Sequence, residues 1–199
     1  DVEPAVITGQ TCGNGVLAEE EGAGGYSAPE SGQMVTDEKT GMAVTDFAVR
    51  LLREQMKEGE ENELLSPVSM VSALGMTANG AQGETREQME EVMGASAEAL
   101  NLCLQSCREA SGQEEEGVLH LANSIWFLDD GKFQLKEDFL RTNAAYYGAS
   151  LYGAPFDETT RKDIKCWVKR ETDGMIEEIE REIPPLPVKY LVYALSLEA

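Results

Sequence analysis

Apolar positions are packed most densely between residues 64 and 94, LLSPVSMVSALGMTANGAQGETREQMEEVMG. From Met70 to Ala81 the run is apolar or small at almost every step, which predicts a helix enclosed by protein on most sides. Ser66 is placed to cap it, and Pro67 falls at the first helical position, where a missing N–H costs nothing. Gly80 and Gly83 interrupt the pattern. A second, amphipathic helix is then predicted, with Thr85 and Gln88 as a capping box, Met89, Val92 and Met93 on one face, and Gly94 as its stop.

The remaining periodicities give an ordered series. Val44 to Lys57 reads as an amphipathic helix with Phe47, Ala48, Leu51, Leu52 and Met56 on its inner side. Asn62 to Leu65 reads as a short strand. Ala97, Leu100, Leu104 and Cys107 recur at helical spacing within 97–110. Residues 118–128 are apolar on both alternating faces, as in a strand covered from both sides. A helix is expected over 135–147, with Leu135, Phe139, Ala145 and Tyr146 inward and Gly148 at its end. An extended stretch over 150–156 precedes a helix over 159–172 carrying Ile164, Trp167 and Val168 on one face. The PPLP run at 184–187 forbids helix and leads into a last strand from Val188 to Leu197. Helices grouped beside strands, without βαβ alternation, define an α+β class.

Residues 1–40 break the pattern. Glycines are scattered among Glu, Ser and Thr without periodicity, so the stretch buries too little apolar area to offset its ordering entropy. A flexible acidic extension over 1–40 and a folded portion over 41–199 are expected. The chain has 199 residues, ample for a core, and a formal net charge of −21,. That charge excludes nucleic acid as a partner, for want of phosphate-neutralising clusters, and disfavours anionic membrane surfaces. No apolar run approaches the length that spans a bilayer, so no membrane insertion is expected. The first residue is Asp1, without a charged-then-apolar leader, which reads as a processed form or a fragment.

Catalytic chemistry finds no footing. His120 is the only histidine, and it alternates within an apolar strand, where a satisfied buried histidine is the expectation. Ser66, Ser69 and Ser124 have no base placed near them, and neither a phosphate cradle nor a nucleophile elbow is present. Cys103 and Cys107 stand four apart on a predicted helix. No further CxxC or HxxxH completes a zinc site, and the spacing disfavours a disulfide, leaving two reduced thiols. No metal and no cofactor are expected.

Four segments resemble the serpin family in order and spacing. SPVSMVSALGMTANGAQGET (66–85) is similar to its S-P-x-S-[IM]-x-x-A-L helix and G-A-x-G-x-T turn, and LANSIWF (121–127) to its long central strand. AYYGASLYGAPF (145–156) is similar to its Y-x-A-x-x-x-x-x-x-F stretch, and IKCWVKRETDGMI (164–176) to its I-N-x-W-V-x-x-x-T-x-G-x-I helix. The resemblance runs over roughly three quarters of the chain. It implies the N-terminal half of an α+β serpin fold, ending at the third strand of the main sheet, with the reactive-centre loop outside this chain.

The resemblance also implies a function without a catalytic site. Serpins inhibit serine proteases, sometimes cysteine proteases, by offering a loop that is cut and then inserted as a new strand into the main sheet. Val188, Tyr190, Val192 and Ala194 would belong to the strand lining the gap that the loop enters. Ser66, Ser69, Asn123 and Tyr193 would form the shutter beneath it, and Trp167 would anchor the helix lying across the sheet. Tyr193 departs from the family's asparagine, and Lys165 stands where the helix pattern has Asn. The implied partner is a target serine protease. The implied location is extracellular or at the cell surface. Self-association is expected of the isolated chain through its last, largely apolar strand edge. The second reading is a non-inhibitory serpin-fold binding protein, or an inactive truncated product.

Overall fold

The first helix starts well before its apolar face. Asp37 caps it, accepting the Lys39 N–H at 3.2 Å, and α1 spans Glu38–Gln55 with a 3-10 turn over Met56–Glu58. The computed structural model describes residues 7–8, 37–58, 65–111, 118–131, 135–177 and 189–198; of these, 7–8, 111, 118–120 and 196–198 are described by backbone alone. The strand expected at 62–65 and the extension at 1–36, apart from 7–8, lie outside the described residues. By internal contacts the chain divides into two units, one of Glu30–Ala110 and one of Ser111–Ala199 with Asp1–Pro29.

The Glu30–Ala110 unit is helical. α2 spans Pro67–Ala78, with Ser66 as its cap, Pro67 in its first turn, and Val71, Ser72, Gly75, Met76 and Ala78 buried. α3 spans Glu84–Met93 and α4 spans Ala97–Ser111. Three expectations are corrected here. Leu52 and Met56 are exposed, because the buried stripe of α1 runs through Thr40 and Phe47 instead. Val92 and Cys107 are exposed as well, while Met93 and Cys103 turn inward. The Thr85–Gln88 capping box does not form. Gly83 takes a left-handed φ of 56° and serves as the N-cap, so Thr85 already lies inside the helix and Gln88 bonds Glu84 Oε1 at 3.2 Å.

Polar groups fasten this unit at its helix ends. The Asn79 and Asn101 side-chain amides each donate to the other's oxygen, at 3.1 and 3.0 Å, joining the end of α2 to α4. Glu90 Oε1 accepts both Arg86 Nε at 2.9 Å and the Ala97 N–H at 3.0 Å, so it satisfies an orphan donor at the start of α4,. Arg86 also reaches Glu98. Arg50 Nη2 donates to the Val92 carbonyl at 2.7 Å, holding α1 on α3. Gly94 ends α3 with a φ of 74°, and a Cβ there would meet the Ala43 Cβ at 3.3 Å.

The second unit is a sheet with helices. β1 (Ile7–Thr8), β2 (Val118–Leu128), β3 (Ser150–Ala154) and β4 (Lys189–Glu198) form one sheet in the order β1-β3-β2-β4. β3 runs parallel to β2 and to β1, whereas β4 runs antiparallel to β2 from Val118↔Glu198 to Phe127↔Lys189. Residue patterning marks β2, β3 and β4 but not β1, whose two residues leave no periodic signal. α5 spans Glu137–Tyr147 and ends on left-handed Gly148, with Tyr147 buried rather than Tyr146. α6 spans Glu158–Glu171. The class is α+β with a mixed sheet, as expected.

The Ala97 N–H and the Arg86 guanidinium hold the Glu90 carboxyl below its ordinary value. A depressed carboxyl contributes stability above the unfolded value and loses it as pH falls through the folded one. The thermal midpoint of wild type should therefore exceed that of Glu90→Gln at pH 7, and the gap should close as pH is lowered below about 4.5. A gap unchanged from pH 7 to pH 3 in thermal melts would show that the charge has no such role.

Candidate functional site

The face of the sheet that meets α6 is built by strand alternation. Trp126 on β2 and Tyr152 on β3 are register partners, and their rings stack with centroids 4.2 Å apart. Trp126 Nε1 donates to Ser124 Oγ at 2.9 Å, two residues earlier on the same face. Onto this floor α6 places Ile164, Trp167 and Val168, which share one buried cluster with Trp126, Tyr152, Ala154 and Ala194. Tyr190 and Val192 pack against the cluster from β4. The helix therefore straddles β3, β2 and β4 at once. Trp167 is 1% exposed, and its indole N–H has no acceptor among the described residues.

Both ends of α6 are fixed. Asp157 Oδ1 accepts the Thr159 N–H at 2.8 Å and the Thr160 N–H at 3.4 Å, and the Thr159 hydrogen bonds hold its carboxyl below the ordinary range. Phe156, just before the cap, adopts a left-handed φ of 59°, which costs a residue with a side chain roughly 1–2 kcal/mol,. Stacking of its ring on Tyr190, at 5.4 Å, and its N–H bond to Thr160 Oγ1, at 3.0 Å, offset that cost. At the other end Thr172 is fully buried. Its hydroxyl donates to the Val168 carbonyl at 2.8 Å and accepts from the Ile176 N–H at 3.2 Å. Gly174 then donates to the Lys169 carbonyl at 2.7 Å.

The residues expected to form a shutter fall in the two units. In the helical unit the Ser66 and Ser69 hydroxyls are 2.6 Å apart, and Ser66 Oγ also accepts the Ser69 N–H at 3.3 Å. In the sheet unit Asn123 is buried and donates through Nδ2 to the Tyr147 carbonyl at 2.8 Å, so the end of α5 is tied to β2. Its Oδ1 has no partner among the described residues. Tyr193 is half-buried on β4 and is the register partner of Asn123. Of the strand residues expected to line a gap, Tyr190, Val192 and Ala194 lie on the face covered by α6, and Val188 lies outside the described residues.

Sequence reasoning missed several residues that hold this arrangement. Tyr152, Ala154 and Phe156 belong to the same apolar floor, and their alternation was a usable signal. Lys189 left none: its Nζ sits 4.7 Å over the Phe139 ring, and burial pushes its amine below the ordinary value. Cys166 is disulfide-bonded, whereas Cys103 and Cys107 are not in disulfides. Among the described residues no cluster of three or more His, Cys, Asp or Glu could hold a metal ion, and no helix is long and apolar enough to cross a membrane. The arrangement packs a helix across a sheet and caps both ends of that helix.

Among the described residues the sheet unit is thus a helix clamped across a mixed sheet, with β4 last in the strand order. Residues 42–199 match the family described as Serpin (serine protease inhibitor), and the chain belongs to that family. It is 30% identical over 143 residues to neuroserpin of Mus musculus, covering 68% of this chain and 34% of that protein. It is 30% identical over 159 residues to Serpin I2 of Homo sapiens, covering 76% and 39%. Among solved structures it superimposes on the thermophilic serpin tengpin in the native state with a TM-score of 0.77 and 38% identity, covering 87% of this chain and 44% of tengpin. The chain thus spans between a third and two fifths of these two curated relatives.

Trp167→Ala should cost about 3–5 kcal/mol in the sheet unit, the range for truncating a buried aromatic. Trp167→Phe should cost much less, since it keeps most of the volume and removes an indole N–H with no described acceptor. Urea denaturation of both variants separates the effects. Equal losses would mean that the indole nitrogen, and not the ring volume, fixes α6.

Proposed function

We propose that this chain supplies the sheet-gating portion of an inhibitor of serine endopeptidases, one that acts by cleavage and strand insertion of a reactive loop carried outside it. Family membership supports the inhibitor class. The observation that carries the gating role is β4. It pairs with β2 along ten register positions on one side, has no hydrogen-bonded strand on its other side among the described residues, and is held from above by α6. In this reading Ser66 and Ser69 of the helical unit, and Asn123 and Tyr193 of the sheet unit, are each shutter residues, Tyr190, Val192 and Ala194 line the gap, and Trp167 sets how firmly α6 resists opening. Residues 41–199 then act as one part of a serpin domain, and residues 1–40 as an extension to it.

The oxidised state of Cys166 supports an extracellular or cell-surface location, since disulfides persist in oxidising compartments,. By itself the chain would self-associate through the edge of β4 that has no strand partner among the described residues,. Tyr193 favours a second reading, a non-inhibitory binding protein. A phenol where the family has an asparagine amide changes the hydrogen bonds that must break for the sheet to part.

The test is incubation of the protein, purified from its natural source, with trypsin-, chymotrypsin- and elastase-type enzymes. Inhibition by insertion predicts a covalent complex that survives SDS, together with a released loop fragment. Turnover of the protein as a plain substrate by all three, with no SDS-stable complex, would favour the binding-protein reading.

A further inference from the structure

Cys166 on α6 is disulfide-bonded, and its partner follows by elimination. The sequence holds four cysteines, Cys12, Cys103, Cys107 and Cys166. Cys103 and Cys107 are not in disulfides, so within this chain only Cys12 remains to pair with Cys166. We propose that a Cys12–Cys166 bridge straps the N-terminal segment to α6 and is redox-sensitive: oxidised, it holds β1 on β3; reduced, it releases β1 and bares the β3 edge.

The surroundings of the two ends fit this pairing. Cys12 itself lies outside the described residues, but β1 ends at Thr8, four residues earlier. Four residues span at most about 14 Å. β1 lies parallel to β3, with Ile7 opposite Tyr152 and Thr8 opposite Gly153. Tyr152 shares one buried cluster with Trp167, the residue next to the half-buried Cys166. The strand that precedes Cys12 and the helix that carries Cys166 therefore meet at the same part of β3, inside one compact unit.

A strand as short as β1 has a physical need for such a mooring. Two residues make few ladder hydrogen bonds, and ordering each of them costs conformational entropy,. With Cys12 held at α6, docking of Ile7 and Thr8 becomes intramolecular over a short tether, which raises their effective concentration at the β3 edge. β2 occupies the other side of β3, so loss of β1 would leave this edge as an open row of backbone donors and acceptors,. Forming the bridge removes two protons and two electrons from the two thiols; a protein or small-molecule disulfide takes them up and becomes two thiols. A dithiol reductant reverses the step as its own two sulfurs close into a disulfide.

The protein is purified without reductant, its free thiols are alkylated, and a tryptic digest is mapped unreduced. Trypsin places Cys12 in a peptide spanning 1–39, Cys166 in 166–169, and Cys103 with Cys107 in 87–108. The expected linkage joins the first two within a monomeric chain and disappears with dithiothreitol. An alkylated Cys166, a linkage to 87–108, or a covalent dimer on an unreduced gel overturns the proposal. Hydrogen exchange then reads the strap. Reduction, and equally Cys12→Ser, should speed exchange at 7–8 and 150–154 by about tenfold or more, while exchange in α4 stays unchanged. Exchange at 7–8 that is the same in both redox states overturns the proposal as well. Should Cys12→Ser unfold, as α4 exchange would reveal, the redox comparison in wild type decides.

Discussion

Everything in the sheet unit depends on β2 being paired on both sides. Ten register positions join it antiparallel to β4, and five join it parallel to β3. This two-sided pairing satisfies its backbone groups away from water and leaves its side chains to serve both faces. One face receives α5, through the Asn123 bond to the end of that helix; the other receives α6, through Trp126 and its stacked partner Tyr152. Without β2 neither helix has a floor.

The sheet unit is held together by more than its strands. Its apolar packing is concentrated under α6. Its apolar face spans three strands, and its ends are closed by Asp157 on one side and by Thr172 and Gly174 on the other. The left-handed Phe156 shows that packing at this corner is strong enough to hold an unfavourable backbone conformation in place,. Displacing β4 relative to β2 would strip Tyr190, Val192 and Ala194 from the same cluster that anchors the helix. Sheet and helix are therefore bound to move together.

The helical unit is organised differently. Its helices are joined by discrete polar contacts: the reciprocal Asn79–Asn101 amides, the Glu90 carboxylate shared by Arg86 and Ala97, and Arg50 on the Val92 carbonyl. In a chain of net charge −21 most carboxylates have no cation to meet. Glu90 is set apart because a backbone N–H and a guanidinium converge on it.

Local chemistry by itself determined the elements and the family. The Ser66–Pro67 start, the glycine stops at Gly94 and Gly148, the strand at 118–128 and the Trp167 face are all decided by propensity, capping and period within a few residues, and all were legible. Tertiary structure decided what periodicity cannot encode. β1 is two residues that become a strand only because β3 offers an edge. Leu52, Met56, Val92 and Cys107 are apolar or weakly polar yet exposed, since the width of the buried stripe on a helix is set by its neighbours. The Thr85 capping box gave way to Gly83 because a left-handed turn started the helix earlier. The candidate site divides in the same way. Ser66 and Ser69 meet across one helical turn, a local fact visible in the sequence, whereas the stacking of Trp126 on Tyr152 and the reach of α6 over three strands depend on strand register, which long-range pairing alone fixes.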